Sequence, residues 1–270
     1  MHSIDMTTID TSKEINSKGV AVKIYDNQEQ ASVAVAQRIA DLIKRKQAEG
    51  EHAVLGLATG ATPIAVYQEL IRMHREEGLS FQNVVTFNLD EYYPMQPTAG
   101  QSYVAFMQEQ LFAHVDIVAD HIHIPDGTVE EGNVQTYCDA YEQRITHYGG
   151  LDIQLLGIGR TGHIGFNEPG SSADSLTRVV ELSEVTRQDA APAFGGVAQV
   201  PTHAITMGVG SIAKAKEIIL MAWGEKKADI VKRALESDIT AEVPATYLQR
   251  IDGVVFVLDK GAAAQVANNR

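Results

Sequence analysis

The sequence predicts an α/β protein built on an open, mainly parallel, doubly wound sheet. Three observations predict it. Short apolar runs such as AVLGLA, VVTFNL and LDIQLLGI alternate with longer stretches of helical period. The runs end at turn-forming residues. No internal repeat or low-complexity linker breaks the alternation, which is the pattern of a parallel sheet covered by helices on both faces.

Each element follows in order. Residues 1–18 are polar and aperiodic, so they read as a flexible lead-in to a single α/β domain over 19–270. A strand is expected at 20–25. Residues 28–47 place Val33, Val35, Ala36, Ile39, Leu42 and Ile43 at helical spacing. Strands follow at 53–58 and 84–89, with a helix at 62–77 between them. Helices are expected at 102–114 and 133–147, then a strand at 151–158. The segment between about 167 and 201 is the least regular. Further strands are expected at 217–221 and 254–258, and helices at 225–235 and in the C-terminal tail.

Composition narrows the function. The formal charge is -13, which disfavours nucleic acid and anionic membrane surfaces as partners. An anionic ligand would need a local positive pocket. The single cysteine, Cys138, cannot form an internal disulfide and fits a reducing, cytoplasmic compartment. The N-terminal segment lacks the basic and apolar regions of a signal peptide. No run approaches the ~20 apolar residues that span a bilayer.

Three motifs fall at expected strand ends, where ligands of open α/β sheets sit. In LGLATGATP, Thr59, Gly60 and Ala61 form a tight turn, with Thr62 as N-cap and Pro63 in the first helical position. Small side chains and unpaired helix-start N–H groups suit an anion such as phosphate, although an ordinary strand-to-helix turn fits equally well. In FNLDEYYP, Asp90 and Glu91 follow an apolar strand directly. Only one of two successive strand-end acids can face a pocket, and a solvated acidic turn is the bland alternative. The third motif, LLGIGRTGHIGFNEPGSS, carries Gly157, Gly159, Gly162 and Gly165 around His163, with Glu168 five residues on. Glycines at this density hold backbone close to a ligand or in positive-φ conformations. A histidine oriented by a carboxylate is an efficient acid/base, and in this loop that reading outweighs a packed, satisfied histidine.

Other candidates are weaker. His121 and His123 would share a strand face as metal ligands can, but no cysteine or clear carboxylate joins them, so a structural role is preferred. Ser171 and Ser172 lack a nucleophile-elbow context. Lys226 and Lys227 open a helix, where the dipole disfavours cations; they are either a solvated pair or a reach toward a substrate phosphate.

The segments LGLATGATP, VVTFNLDEYYP, QSYVAFM, LLGIGRTGHIGFNEP and AITMGVGSI stand in the order found in glucosamine-6-phosphate deaminases (isomerising), and the chain resembles that family from about residue 20 to 258. The resemblance implies a Rossmann-like fold of the deaminase and ribose-phosphate isomerase type, shared with phosphogluconolactonases. It implies conversion of glucosamine 6-phosphate and water to fructose 6-phosphate and ammonia, without metal or organic cofactor. His163 would open the sugar ring, oriented by Glu168. Asp90 would move the C2 proton to C1. Thr59, Gly60, Ala61, Thr62, Gly159 and Lys227 would hold the phosphosugar. The resemblance also suggests a homo-oligomer, with a hexamer in view.

Three positions depart from the family pattern. Thr161 stands where many members carry an acid, so His163 would rely on Glu168. Pro192 stands where some carry a phosphate-binding arginine, with Arg187 or Lys226 as substitutes. Val180 stands where regulated members carry a base two residues after the position of Arg178, so control by N-acetylglucosamine 6-phosphate is expected to be weak or absent. Residues 170–260 look most like longer members with an additional deacetylase-like domain. The competing readings are a non-catalytic sugar-phosphate sensor on the same fold and a phosphosugar isomerase or lactonase of different specificity.

Overall fold

The computed structural model describes residues 12–267. Among the described residues, eleven strands form two sheets. The larger holds β1 (Lys13–Ser17), β2 (Val20–Tyr25), β3 (Ala53–Leu57), β4 (Val84–Asn88), β6 (Ile122–His123), β7 (Ile153–Leu156), β10 (Glu217–Ala222) and β11 (Val254–Asp259), in the order β1-β2-β11-β10-β7-β3-β4-β6. Every pairing is parallel except β1 with β2. The smaller sheet is antiparallel, with β5 (Asp90–Tyr93), β9 (His203–Thr206) and β8 (Arg178–Glu181) in that order.

The helices are α1 (Gln28–Glu49), α2 (Ile64–Glu77), α3 (Tyr103–Gln110), α4 (Val134–His147), α5 (Glu184–Phe194), α6 (Val209–Ile212) and α7 (Ala228–Glu236). Local chemistry sets several of their ends. Asn27 accepts the N–H of Gln30 to start α1, and Gly50 closes it at φ 71°. Ser102 and Ser183 cap α3 and α5 in the same way. On one face of the sheet, α1, α2 and α3 bury Ile39, Leu42, Tyr67, Leu70 and Met107 against Leu55, Leu57 and Leu155. On the other, α4 and α7 bury Tyr141, Val231 and Leu235 against Val85, Phe87 and Leu220. The doubly wound sheet is therefore as predicted.

Four expectations need correction. Residues 1–11 lie outside the described residues, but Lys13–Ser17, assigned to a flexible lead-in, forms an edge strand. Its side chains are mostly exposed, so strand pairing rather than apolar burial holds it and no hydrophobic pattern announces it. The 167–201 segment contains β8 and α5, whose apolar contacts run to Tyr92, Phe166 and Leu182 in a small separate cluster. Within the C-terminal tail, residues 261–267 turn irregularly. The Asp259 carboxylate accepts the N–H groups of Gly224 and Ala262 there and starts a turn that does not continue as a helix. Finally, α2 begins at Ile64 with Pro63 at its cap position and no side-chain cap, so Thr62 does not cap it.

Strands β3 and β7 are neighbours, and the chain winds outward from them in opposite directions, to β4 and to β10. This is a topological switch point, where the connections diverge and leave a crevice beyond the strands.

Candidate active site

The crevice at the switch point is a cavity of about 190 Å³ lined by Thr59, Gly60, Ala61, Thr62, Asp90, Tyr103, Gly157, Gly159, His163 and Gly165, among others. All three sequence motifs meet in it.

The turn after β3 is fixed by its surroundings. Gly60 takes φ 88°, a conformation that a side chain would strain. Tyr67 donates to the Ala58 carbonyl at 2.5 Å, and Trp223 donates to the Thr62 carbonyl at 3.0 Å. The turn leads directly into α2, whose first N–H groups have no helical partner and suit an anion.

Asp90 sits where the chain passes from one sheet to the other. Leu89 bonds the Leu57 carbonyl of the large sheet, and Asp90 pairs with Thr206 in the small one. Strand alternation then separates the two acids. Asp90 lines the cavity, whereas Glu91 accepts N–H bonds from Tyr92, Tyr103 and Val104 at the start of α3. Asp90 is 6% exposed and, among the described residues, forms no ion pair. Burial, reinforced by the nearby Glu91 charge, pushes its carboxyl up to about 8. Burial also lifts Glu91, to about 7, against the opposing pull of its three N–H donors.

His163 rises from the glycine-rich loop after β7. Its ring packs so closely on Gly159 that a Cβ there would lie 2.1 Å from the imidazole. Gly162 takes φ 83° beneath Val243. The Thr161 hydroxyl lies 3.1 Å from Nδ1 of His163, and Oε2 of Glu168 lies 3.6 Å from the same atom. Glu168 stands outside the cavity, behind the histidine. Burial acts to raise its carboxyl, but the nearby His163 ring and the hydrogen bond from Thr186 outweigh this and hold it below the usual range.

Lys227 is placed differently from the expectation. It lines an adjoining cavity of about 530 Å³ that shares Gly159 and His163 as a wall. Its ammonium donates to the Ile158 carbonyl at 2.7 Å, and burial lowers its pKa. Lys226 and Arg160 line this second cavity as well. Arg187 lines neither cavity, and its Nη2 donates to the carbonyls of Val197 and Val200. Pro192 lies within α5. His121 and His123 belong to a ring cluster with His52 and Tyr148. Among the described residues, no group of three His, Cys, Asp or Glu side chains could hold a metal ion.

Tyr103 is a site residue that sequence reasoning did not single out. It lines the cavity, is partly buried, and its hydroxyl interacts with Thr59 and Tyr92. Its position in QSYVAFM, just after the capping Ser102, gives it a helical address but no sign of the cavity.

A doubly wound sheet with a cavity at its switch point, lined by a buried carboxyl, a histidine and the turn after β3, defines an α/β protein with its candidate small-molecule site at the strand ends. The chain belongs to the glucosamine-6-phosphate isomerase/6-phosphogluconolactonase family, whose model matches residues 26–257. It is 47% identical to a glucosamine-6-phosphate deaminase of Bacillus velezensis over 87% of this chain and 95% of that protein. It is 45% identical to glucosamine-6-phosphate deaminase 2 of Giardia intestinalis over 94% and 93% of the two chains. A putative deaminase-like protein of Bacteroides thetaiotaomicron is 45% identical over 90% of this chain, which spans only 37% of that longer protein. Among solved structures, a monomeric glucosamine-6-phosphate deaminase superposes with a TM-score of 0.86 at 43% identity, covering 90% of this chain and 99% of that one. A 6-phosphogluconolactonase of Trypanosoma brucei shares the fold, with a TM-score of 0.72 at 21% identity over 91% and 98% of the two chains.

Proposed function

We propose that the protein converts glucosamine 6-phosphate and water to fructose 6-phosphate and ammonia. The observation that carries this reading is that Asp90 and His163, from different loops, line one cavity with the turn formed by Thr59, Gly60, Ala61 and Thr62. Such convergence turns proton transfers that would be slow in solution into steps within one complex. His163 moves a proton from the anomeric hydroxyl to the ring oxygen and opens the ring. Asp90 takes the C2 proton and returns it at C1, passing through an enolamine. The resulting ketimine is hydrolysed, and ammonia leaves. Glu168 holds His163, the turn and the start of α2 receive the phosphate, and Lys227 closes on it from the adjoining cavity. The chemistry needs no metal or organic cofactor.

The lactonase reading is less well supported, because the lactonase likeness stops at the fold, whereas identity to deaminases is 42–47%. The test is direct: purified protein with millimolar glucosamine 6-phosphate is assayed for ammonia and fructose 6-phosphate. Absence of both products overturns the assignment.

The same reading carries three finer proposals. The enzyme works in the cytoplasm, in keeping with its one free, buried cysteine, Cys138. No helix among the described residues is long and apolar enough to cross a membrane. It assembles as a homo-oligomer, which sedimentation velocity tests against the monomeric state of the similar deaminase. Its likeness to longer members follows the match to the Bacteroides protein.

A further inference from the structure

The carboxylate behind His163 is itself held from one side. Oε1 of Glu168 accepts the Thr186 hydroxyl at 2.5 Å, the Ser183 hydroxyl at 3.1 Å and the Ser183 N–H at 3.3 Å. Ser183 caps α5, and Thr186 lies in its first turn. Three donors therefore converge on one oxygen at a helix N-terminus, where negative charge is favoured. The other oxygen, Oε2, is buried, makes no hydrogen bond and faces Nδ1 of His163.

We propose that Thr186 is a positioning residue for His163: by fixing Oε1 of Glu168 it keeps Oε2 in front of Nδ1, so that the start of α5 sets the histidine's orientation and tautomer. An ionised carboxylate only accepts hydrogen bonds. Facing Nδ1, it favours the proton on that nitrogen and leaves Nε2 with a free lone pair. Thr161 then accepts from Nδ1 without changing that preference. Helix α5 has a second tie to the same loop, between Arg160 and Asp189 at 2.9 Å, but both side chains are exposed and such a pair contributes little. The buried contact through Glu168 dominates the coupling.

The turnover part of the test rests on the proposed deamination; the spectroscopic part uses no substrate. Thr186→Val keeps the shape and removes the hydroxyl, and Thr186→Ser keeps the hydroxyl. The expected result for Thr186→Val is a fall in kcat of about tenfold to a hundredfold, by analogy with the cost of removing the groups that orient metal-ligating histidines. KM changes less than kcat, because Thr186 lines only the adjoining cavity and not the one that holds the turn. Thr186→Ser restores kcat. In the substrate-free protein, the imidazole 15N shifts, assigned by their loss in His163→Gln, show one Nδ1–H tautomer in wild type and Thr186→Ser and an averaged pair in Thr186→Val. A single unchanged tautomer in Thr186→Val overturns the proposal, whether or not kcat falls. If wild type does not turn over glucosamine 6-phosphate, the deaminase reading fails and the shifts alone decide this one. Should valine unfold the chain, Ser183→Ala, which removes another donor to the same oxygen, is read by the same shifts.

Discussion

The Thr161 hydroxyl lies 3.1 Å from Nδ1 of His163, closer than the Glu168 carboxylate at 3.6 Å. The histidine thus has one neutral and one charged neighbour on the same nitrogen. Thr161→Val removes the neutral one and leaves the carboxylate. A net hydrogen bond of about 0.5–1.5 kcal/mol corresponds to a fall in kcat of roughly two- to tenfold, with KM unchanged. Steady-state kinetics of the variant measure it. A loss of several hundredfold would show that Thr161, and not Glu168, is the principal orienting group.

Asp90 combines burial with a proton-transfer role, and the two predict opposite effects of Asp90→Asn. Activity falls by about 10²–10⁴, the usual contribution of a positioned acid or base. Stability rises. The wild-type carboxyl titrates near 8 when folded and near 3.8 in its ordinary state, so between these values the folded chain binds more protons than the unfolded one. Wild-type stability therefore declines as pH rises from about 4 to about 8 through this group, and levels off above. The variant's advantage in melting temperature is small at pH 5 and larger at pH 8. An advantage that shrinks with rising pH contradicts the burial argument. The same shift predicts that wild-type kcat/KM climbs through neutral pH toward a plateau set by the ionised carboxylate.

Gly159 touches the face of His163. A methyl group there would lie 2.1 Å from the ring, so Gly159→Ala displaces the imidazole or opens the loop. The expected outcome is a loss of at least about a hundredfold in kcat, consistent with loss of an acid/base group. The far-ultraviolet circular dichroism spectrum stays native, since the clash is local to the loop. Retention of wild-type kcat would remove His163 from the ring-opening role.

Trp223 ties the far strand end to the turn after β3 through its bond to the Thr62 carbonyl. Trp223→Phe frees that carbonyl and loosens the turn proposed to hold the phosphate. KM for glucosamine 6-phosphate rises by roughly two- to tenfold, the value of one hydrogen bond, while kcat changes less. Inorganic phosphate weakens as a competitive inhibitor in parallel. A selective fall in kcat would place the effect on proton transfer instead.

Some of this protein is determined by its sequence alone. Alternating short apolar runs and helical periods specify the doubly wound sheet, because each strand buried on both faces must be apolar throughout and each helix must offer one apolar stripe. The glycine-rich loop around His163 and the acid pair after β4 mark the strand ends, since glycine density and charge after an apolar run are local signals. Tertiary structure alone decided which atoms meet. It turned Asp90 into the cavity and Glu91 onto α3, brought Tyr103 to the cavity wall beside Thr59, moved Lys227 to the neighbouring cavity, and brought Thr186 to the back of Glu168. Edge strand β1 and helix α5 were equally illegible, one held by backbone pairing and the other by contacts with a small separate core. Thr161 and His163 show the same division: the sequence places them two residues apart, but only the fold of that loop aims the hydroxyl at Nδ1. Spacing along the chain sets which residues can share a loop, whereas side-chain direction and long-range contact depend on how the strands stack.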